Sequence, residues 1–273
     1  GDLNSLSFIN NGSIIGKGKS STGYGISNTD RSNIVILTNS GLITGRGYDD
    51  SYGIDNYDSS IETLTNNGSI TGAGKNGYGI SNNEDASIGT LTNNGLIIGA
   101  GEKRSSYGIY NFLRSGIGTL TNSGLITGAG DEPGYGIYNT DSANIGTLTN
   151  TGIIYGSSSA VKSKISSGTI TNAFNYGILV SGTANKVGDG ISIVAFTSTP
   201  NNNEIANYGL AFVAIGSSYK THDSSDADHN FGAAAIVAGM YTIRNVGASV
   251  SSGSITEVKS FGIKDGKLYF DAS

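Results

Sequence analysis

An internal repeat constrains the fold more than any other feature of the chain. The motif Asn-[Asn/Ser/Thr]-Gly-x-Ile-x-Gly recurs with its first glycine at Gly12, Gly41, Gly68, Gly95, Gly124 and Gly152, at spacings of 29, 27, 27, 29 and 28 residues. Two further motifs keep step with it. Tyr-Gly-Ile-x-Asn begins at Tyr24, Tyr52, Tyr78, Tyr107 and Tyr135, and Ile-x-x-Leu-Thr-Asn begins at Ile34, Ile61, Ile88, Ile117 and Ile145. Each motif is short, rich in Ile, Leu, Thr and Tyr, and bounded by Gly, Asn, Ser or Asp, which is the pattern of strand and turn. No segment carries a helical stripe. Repeats of near-constant length, each too small to bury its own apolar face, stack into a solenoid. The chain is therefore predicted to be all-β, a right-handed single-stranded parallel β-helix with three short strands per coil of about 28 residues.

Stacking puts like residues above one another. Ile14, Ile43, Ile70, Ile97, Ile126 and Ile154 form one predicted inward column, and Ile26, Ile54, Ile80, Ile109 and Ile137 another. Residues on either side of the first column vary from unit to unit, as outward positions should. Asn10, Asn39, Asn66, Asn93, Asn122 and Asn150 precede the turn glycines, and Asn28, Asn56, Asn82, Asn111 and Asn139 close the tyrosine motif. Stacked amides can hydrogen-bond along the axis, and the glycine that follows is expected to supply a positive φ at the turn. Strict alternation places the tyrosine column on the same side as the buried isoleucine two residues later, as an aromatic stack or corner cover. An aromatic strip that binds sugar is the other reading. The regular period covers residues 1–156. Residues 157–273 carry worn copies, such as Ile170-Thr171-Asn172 with Tyr176-Gly177-Ile178, and are expected to be degenerate coils and a cap of the same continuous domain.

The composition removes several functions. A formal charge of -5 denies the chain the basic footprint of a nucleic-acid binder, and zero cysteines exclude disulfides and thiolate metal sites. Residues 1–9 hold no basic segment followed by an apolar one, so a mature segment without a targeting signal is expected.

Variation between units collects in two corners. The first comprises residues 17–22, 46–51, 73–77, 100–106 and 129–134, and the second residues 29–33, 57–60, 83–87, 112–116 and 140–144. Such corners form one edge of a solenoid and commonly its interaction surface. Candidate binding residues are Arg46, Tyr48, Asp49, Asp50, Glu102, Lys103, Arg104, Asp131 and Glu132. A second polar cluster, His222, Asp223, Asp226, Asp228 and His229, holds both histidines of the chain. Its spacing matches neither a helix-borne zinc site nor a calcium loop, so no metal or cofactor is expected.

Glycan-cleaving β-helices use the same scaffold with two or three carboxylates on neighbouring coils. Here the corresponding column reads Ser27, Asp55, Ser81, Tyr110 and Tyr138, one acid among five. Asn-Thr-Asp at residues 28–30 and 139–141 matches one polygalacturonase motif superficially, but the partner Asp-Asp and Gly-His-Gly motifs are missing. No catalytic residues are assigned, and the chain is not expected to be an enzyme.

The run Thr-Leu-Thr-Asn-Asn-Gly-x-Ile-x-Gly at residues 63–72, followed by Tyr-Gly-Ile-x-Asn at 78–82, resembles the passenger repeats of Gram-negative autotransporter (type V secreted) adhesins. The pattern covers residues 6–215, strictly only to 156. That resemblance implies an extended β-helix on the bacterial cell surface, secreted through a separate C-terminal outer-membrane barrel that this chain lacks. It implies binding to a host or bacterial cell-surface protein or glycan, and supplies no catalytic residues. Lack of cysteine suits a passenger that crosses the periplasm unfolded. A glycan-active β-helix, such as a tailspike-like depolymerase, and a plain structural stalk are the alternatives. An acidic groove across coils would mark the first and featureless sides the second.

Overall fold

The computed structural model describes residues 6–19, 21–130, 133–163 and 168–180 in full, and the strand backbones at 181, 206–207, 210–214, 232–237, 241–246, 255–264 and 267–272. Among the described residues there is no helix, and parallel strands stack as a β-solenoid of about six turns. The first coil consists of β1 (Leu6–Asn10), β2 (Ser13–Lys17) and β3 (Gly23–Asn28). The next consists of β4 (Asn33–Asn39), β5 (Leu42–Arg46) and β6 (Asp50–Tyr57). The same three-strand unit recurs as β7 (Ser60–Asn66), β8 (Ser69–Gly74) and β9 (Asn76–Asn83), and again as β10 (Ser87–Asn93), β11 (Leu96–Gly101) and β12 (Ser106–Asn111). It continues through β13 (Gly116–Asn122), β14 (Leu125–Gly130) and β15 (Gly134–Asn139), then β16 (Ala143–Asn150), β17 (Ile153–Gly156) and β18 (Ser159–Ser163).

Each strand pairs in parallel with its equivalent one coil away, giving three sheets. The first contains β1, β4, β7, β10, β13 and β16, the second β2, β5, β8, β11, β14 and β17, and the third β3, β6, β9, β12, β15 and β18. Beyond these, β19 (Gly168–Asn175) and β21 (Ala206–Asn207) extend the first sheet, while β20 (Ile178–Ser181) and β22 (Leu210–Ala214) extend the second. β23 (Gly232–Val237) pairs in parallel with β22. From there the pairing turns antiparallel through β24 (Tyr241–Val246), β25 (Ile255–Lys264) and β26 (Lys267–Ala272).

The register is like on like, as the repeat requires: Ile97 stands between Ile70 and Ile126, and Ile109 between Ile80 and Ile137. All these isoleucines are fully buried, as are Ile61, Ile88 and Ile117 with Leu91 and Leu120 from the third motif. One core runs the length of the stack. Burying one such side chain fully contributes roughly 1.5–3 kcal/mol, so each coil adds a similar increment and depends on its neighbours to keep it dry.

Glycine serves this fold through close approach. None of the turn glycines Gly41, Gly68, Gly95, Gly124 and Gly152 has a φ in the left-handed region; instead a Cβ on Gly41 would lie 2.0 Å from the Gly12 carbonyl oxygen of the preceding coil. The positive φ expected there is found in the second corner, on residues with side chains: Asp30, Arg31, Asp58, Glu84, Asp85, Leu113, Arg114, Asp141 and Ser142. Short polar side chains tolerate that conformation best, and corner backbones hydrogen-bond from coil to coil, as from Arg114 N–H to the Asp141 carbonyl at 2.9 Å.

The second and third sheets meet along two further glycine columns. A Cβ on Gly99 would stand 2.0 Å from the Tyr107 carbonyl oxygen, and one on Gly79 would stand 2.6 Å from Cγ2 of Ile97. Backbone lies against backbone there, so any side chain forces the sheets apart. Gly116 is the opposite case, with nothing within 4 Å of the position its Cβ would take. We expect Gly99→Ala to lower unfolding free energy by about 3 kcal/mol while Gly116→Ala leaves it nearly unchanged. Equal denaturation midpoints for the two variants would refute this account of the sheet junction.

Two asparagine ladders run along the stack, one at the turn between the first and second sheets and one where the second corner begins. In the first, each Nδ2 donates to Oδ1 of the next rung: Asn10 to Asn39 at 2.8 Å, Asn39 to Asn66 at 2.8 Å, Asn66 to Asn93 at 2.7 Å, Asn93 to Asn122 at 2.8 Å and Asn122 to Asn150 at 2.7 Å. The second runs from Asn28 through Asn56, Asn82 and Asn111 to Asn139 with the same geometry. Each amide also donates to backbone, Asn93 to the carbonyls of Gly95 at 3.2 Å and Leu125 at 3.1 Å. An interrupted rung leaves buried donors and acceptors without partners, which costs more than the bond itself contributed. Asn93→Ala should therefore remove about 3 kcal/mol. Asn94→Ala, one residue on, loses only exposed contacts, its amide bond to Asn67 and the bond it accepts from Ser123 Oγ, and should cost less than about 1 kcal/mol. Chemical denaturation of both variants measures the difference, and similar losses would show that the ladder is not the structural element.

Candidate functional site

The first corner carries most of the predicted binding residues, and the fold stacks them. Arg46 ends β5, the chain turns through Tyr48 and Asp49, and Asp50 opens β6. One coil further, Lys75 reaches back: its Nζ donates to Asp49 Oδ1 at 2.9 Å and lies 3.7 Å from the centre of the Tyr48 ring. The hydrogen bond to Asp49 is the main reason the Lys75 pKa is raised. Beside it, Asn76 Nδ2 donates to Asp50 Oδ1 at 2.7 Å. Backbone bonds continue the stack, from Asp49 N–H to the Ser21 carbonyl at 3.0 Å and from Arg104 N–H to the Lys75 carbonyl at 3.0 Å. Arg46, Tyr48, Glu102, Lys103 and Arg104 remain exposed along one edge, with Tyr48 at 61%. Sequence reasoning did not select Lys75 or Asn76; only the coil-to-coil register brings them to Asp49 and Asp50. Asp131 and Glu132, and the whole cluster His222, Asp223, Asp226, Asp228 and His229, lie outside the described residues.

The second corner carries a column of charge. Arg31 pairs with Asp58 at 3.4 Å and Arg114 with Asp85 at 2.6 Å, and all four side chains are substantially exposed. The Arg114 guanidinium holds the Asp85 carboxyl below its ordinary value. Exposed pairs of this kind order a surface more than they stabilise it. The Asn-Thr-Asp segments also resolve here: Asn28 and Asn139 are ladder rungs, and Asp30 and Asp141 take the positive-φ turn position.

On the third sheet the tyrosines face outward, contrary to the alternation argument. Gly108 and Ile109 both point inward, the glycine against Ile126 and the isoleucine into the core, so the period breaks between them. Tyr107 accordingly shares the outer face with Tyr110, ring centres 4.7 Å apart. Tyr24, Tyr52, Tyr78, Tyr107 and Tyr135 stack at 5.2, 4.6, 5.1 and 5.6 Å. Their faces are taken by one another, which removes the open ring surface a sugar would need. Exposure falls from 41% at Tyr24 to 7% at Tyr135.

Asp55 sits beside this column at 8% exposure. Its neighbours in register are Ser27 and Ser81. Burial pushes its carboxyl up to about 6, against a hydrogen bond with Ser81 that favours the ionised form. In the unfolded chain the same group ionises near an ordinary value of about 4. Between these values the folded protein holds a proton that the unfolded chain has released, so this contribution to stability falls as pH rises through the window. Asp55→Asn should thus be more stable than the parent above pH 6, by up to about 3 kcal/mol, and the advantage should vanish below about pH 4. Parallel melting curves at pH 4 and pH 7.5 test this; an offset independent of pH would contradict it.

The outer face of the first sheet is not flat. One outward column reads Val35, Glu62, Gly89, Gly118, Gly146 and Thr171, and the adjoining one Asn33, Ser60, Ser87, Gly116, Asn144 and Thr169. Gly89, Gly118 and Gly116 line a trough of about 410 Å³, with Ser60, Ser87 and Asn144 on its bank and Glu62 at one end. Ser60 Oγ donates to Asn33 Oδ1 at 2.8 Å, and Asn33 Nδ2 to Glu62 Oε1 at 3.1 Å, which orders the carboxylate. Sequence reasoning passed over this trough because it treated the sides of the solenoid as uniform.

No protein-family model, curated protein or solved structure matches this chain.

Proposed function

We propose that the chain is a non-catalytic binding solenoid, a fragment of a cell-surface adhesin of the autotransporter passenger type, whose ligand is a host or bacterial cell-surface protein or glycan. The observation that carries this reading is the stacked corner edge. There Tyr48, Asp49 and Asp50 are tied to Lys75 and Asn76 of the next coil, and Arg46, Lys103 and Arg104 project beside them. A rigid scaffold that displays exposed aromatic and charged groups on loops is suited to recognition. Asp55 favours binding over glycan hydrolysis as the reading: its column neighbours are serines, whereas hydrolysis calls for a second carboxylate at a set separation.

Recognition is spread over successive corners, each contact weak, with affinity gained through multivalent display. Shortening residues 46–51, 100–106 and 129–134 to the length of 73–77, without altering a strand, should reduce adhesion of displaying cells at least several-fold. Adhesion should weaken, without vanishing, as salt rises. Full adhesion by all three shortened variants would exclude the corner edge as the binding surface.

A further inference from the structure

We propose that the trough on the first sheet is a groove for a neutral, extended oligosaccharide. It adds a ligand class and a second contact surface to the reading of the protein as a binder, and rests on that reading.

A Cβ on Gly89, Gly118 or Gly146 would stand 2.5–2.6 Å from a carbonyl oxygen of the coil before, so the bare column both lets these coils approach closely and leaves their outer face open. Val35, Glu62 and Thr171 occupy the same column in other coils, yet Gly89, Gly118 and Gly146 leave three successive coils bare. Gly116 widens the opening in a column otherwise occupied by Asn, Ser and Thr, and its Cβ position meets nothing within 4 Å. Glycine within a strand marks a place where another backbone or a ligand can approach closely.

The trough crosses β7, β10, β13 and β16 along the solenoid axis. At ~4.8 Å per strand that is on the order of 10–15 Å, room for a short extended chain. Its bank presents hydroxyl groups at Ser60 and Ser87, an amide at Asn144 and the ordered carboxylate of Glu62. Donors and acceptors are mixed, as recognition of vicinal hydroxyls requires.

Two arguments fix the ligand class. Glu62 is the one charged side chain lining the trough, and the chain carries a formal charge of -5, so uronates and sialylated sugars are repelled and neutral sugars are not. An extended peptide binds sheets by adding to an open edge. The strands beneath the trough are paired on both sides, so it has no ladder to join.

The test titrates the 273-residue chain with hexasaccharides of β-1,4-linked glucose, mannose and N-acetylglucosamine, of α-1,4-linked glucose, and of galacturonic acid, followed by calorimetry. At least one neutral hexamer should bind, and hexagalacturonate should bind at least about tenfold more weakly. Gly116→Phe fills the trough and should reduce affinity at least about tenfold with an unchanged melting temperature, and Glu62→Gln should narrow the gap between neutral and acidic hexamers. Failure of every neutral hexamer to bind, affinity unaffected by Gly116→Phe, or displacement of the sugar by a serine- and glycine-rich peptide would each overturn the proposal. The corner-shortened variants, titrated alongside, keep the two readings separate. If they lose cell adhesion but no hexamer binds the parent chain, the groove is wrong and the corner edge stands. If they adhere fully while a hexamer binds, the reverse holds.

Discussion

The buried amide ladder is the interaction on which the other features of this solenoid rest. A side-chain amide has two N–H donors and one strong acceptor. Repetition at the strand spacing lets Asn93 accept from Asn66 and donate to Asn122, with the Gly95 and Leu125 carbonyls also within reach of its two N–H groups. No rung is satisfied alone. The turn therefore exists only as a stack, and the register is fixed because a slip of one residue would put Thr92 or Asn94 where Asn93 stands and turn the isoleucine column outward. With the turn between the first and second sheets and the second corner pinned in this way, the isoleucine columns are held in line and the loops emerge at fixed positions.

The glycine columns set the second constraint, the narrow section of the coil. Where the second and third sheets meet, the Gly99 position is 2.0 Å from the Tyr107 carbonyl when a Cβ is added, so the interior there consists of backbone and isoleucine alone. A body of this kind has no room for an enclosed pocket among the described coils. Chemical variety is left to outward columns and corners, where a substitution in one coil need not propagate to the next.

How much of this was legible in the sequence depended on whether a feature follows from the repeat or from its interruption. The three motifs in phase were enough for the parallel stack, the isoleucine columns and both asparagine ladders, because equal spacing makes columns. The tyrosine face was misassigned for a physical reason: alternation assumes an unbroken strand, and Gly108 and Ile109 both face inward. The turn glycines were rightly singled out, but they avoid a clash with the preceding coil, and a residue pattern cannot distinguish that from positive φ. The corner edge was visible as variation in length, whereas the tie between Asp49 and Lys75 required knowing which loop lies above which. The trough was written in the sequence as Gly89 and Gly118 at one offset of the third motif, and became recognisable only beside Gly116 in the neighbouring column.

Separation of tasks is the physical consequence. The inward columns tolerate almost no chemical variety, since Ile must stand on Ile and Asn on Asn for burial and hydrogen bonding to be complete. Outward columns meet no such demand: the same register position holds Val35, Glu62, Gly118 and Thr171 in different coils, and another holds Asp55 between two serines. Chemistry can accumulate on the outside coil by coil while the ladders inside stay unchanged. A ligand contacting several coils thus reads a pattern along the axis, and the spacing of that pattern is set by the strands, with the side chains choosing only what is presented at each step.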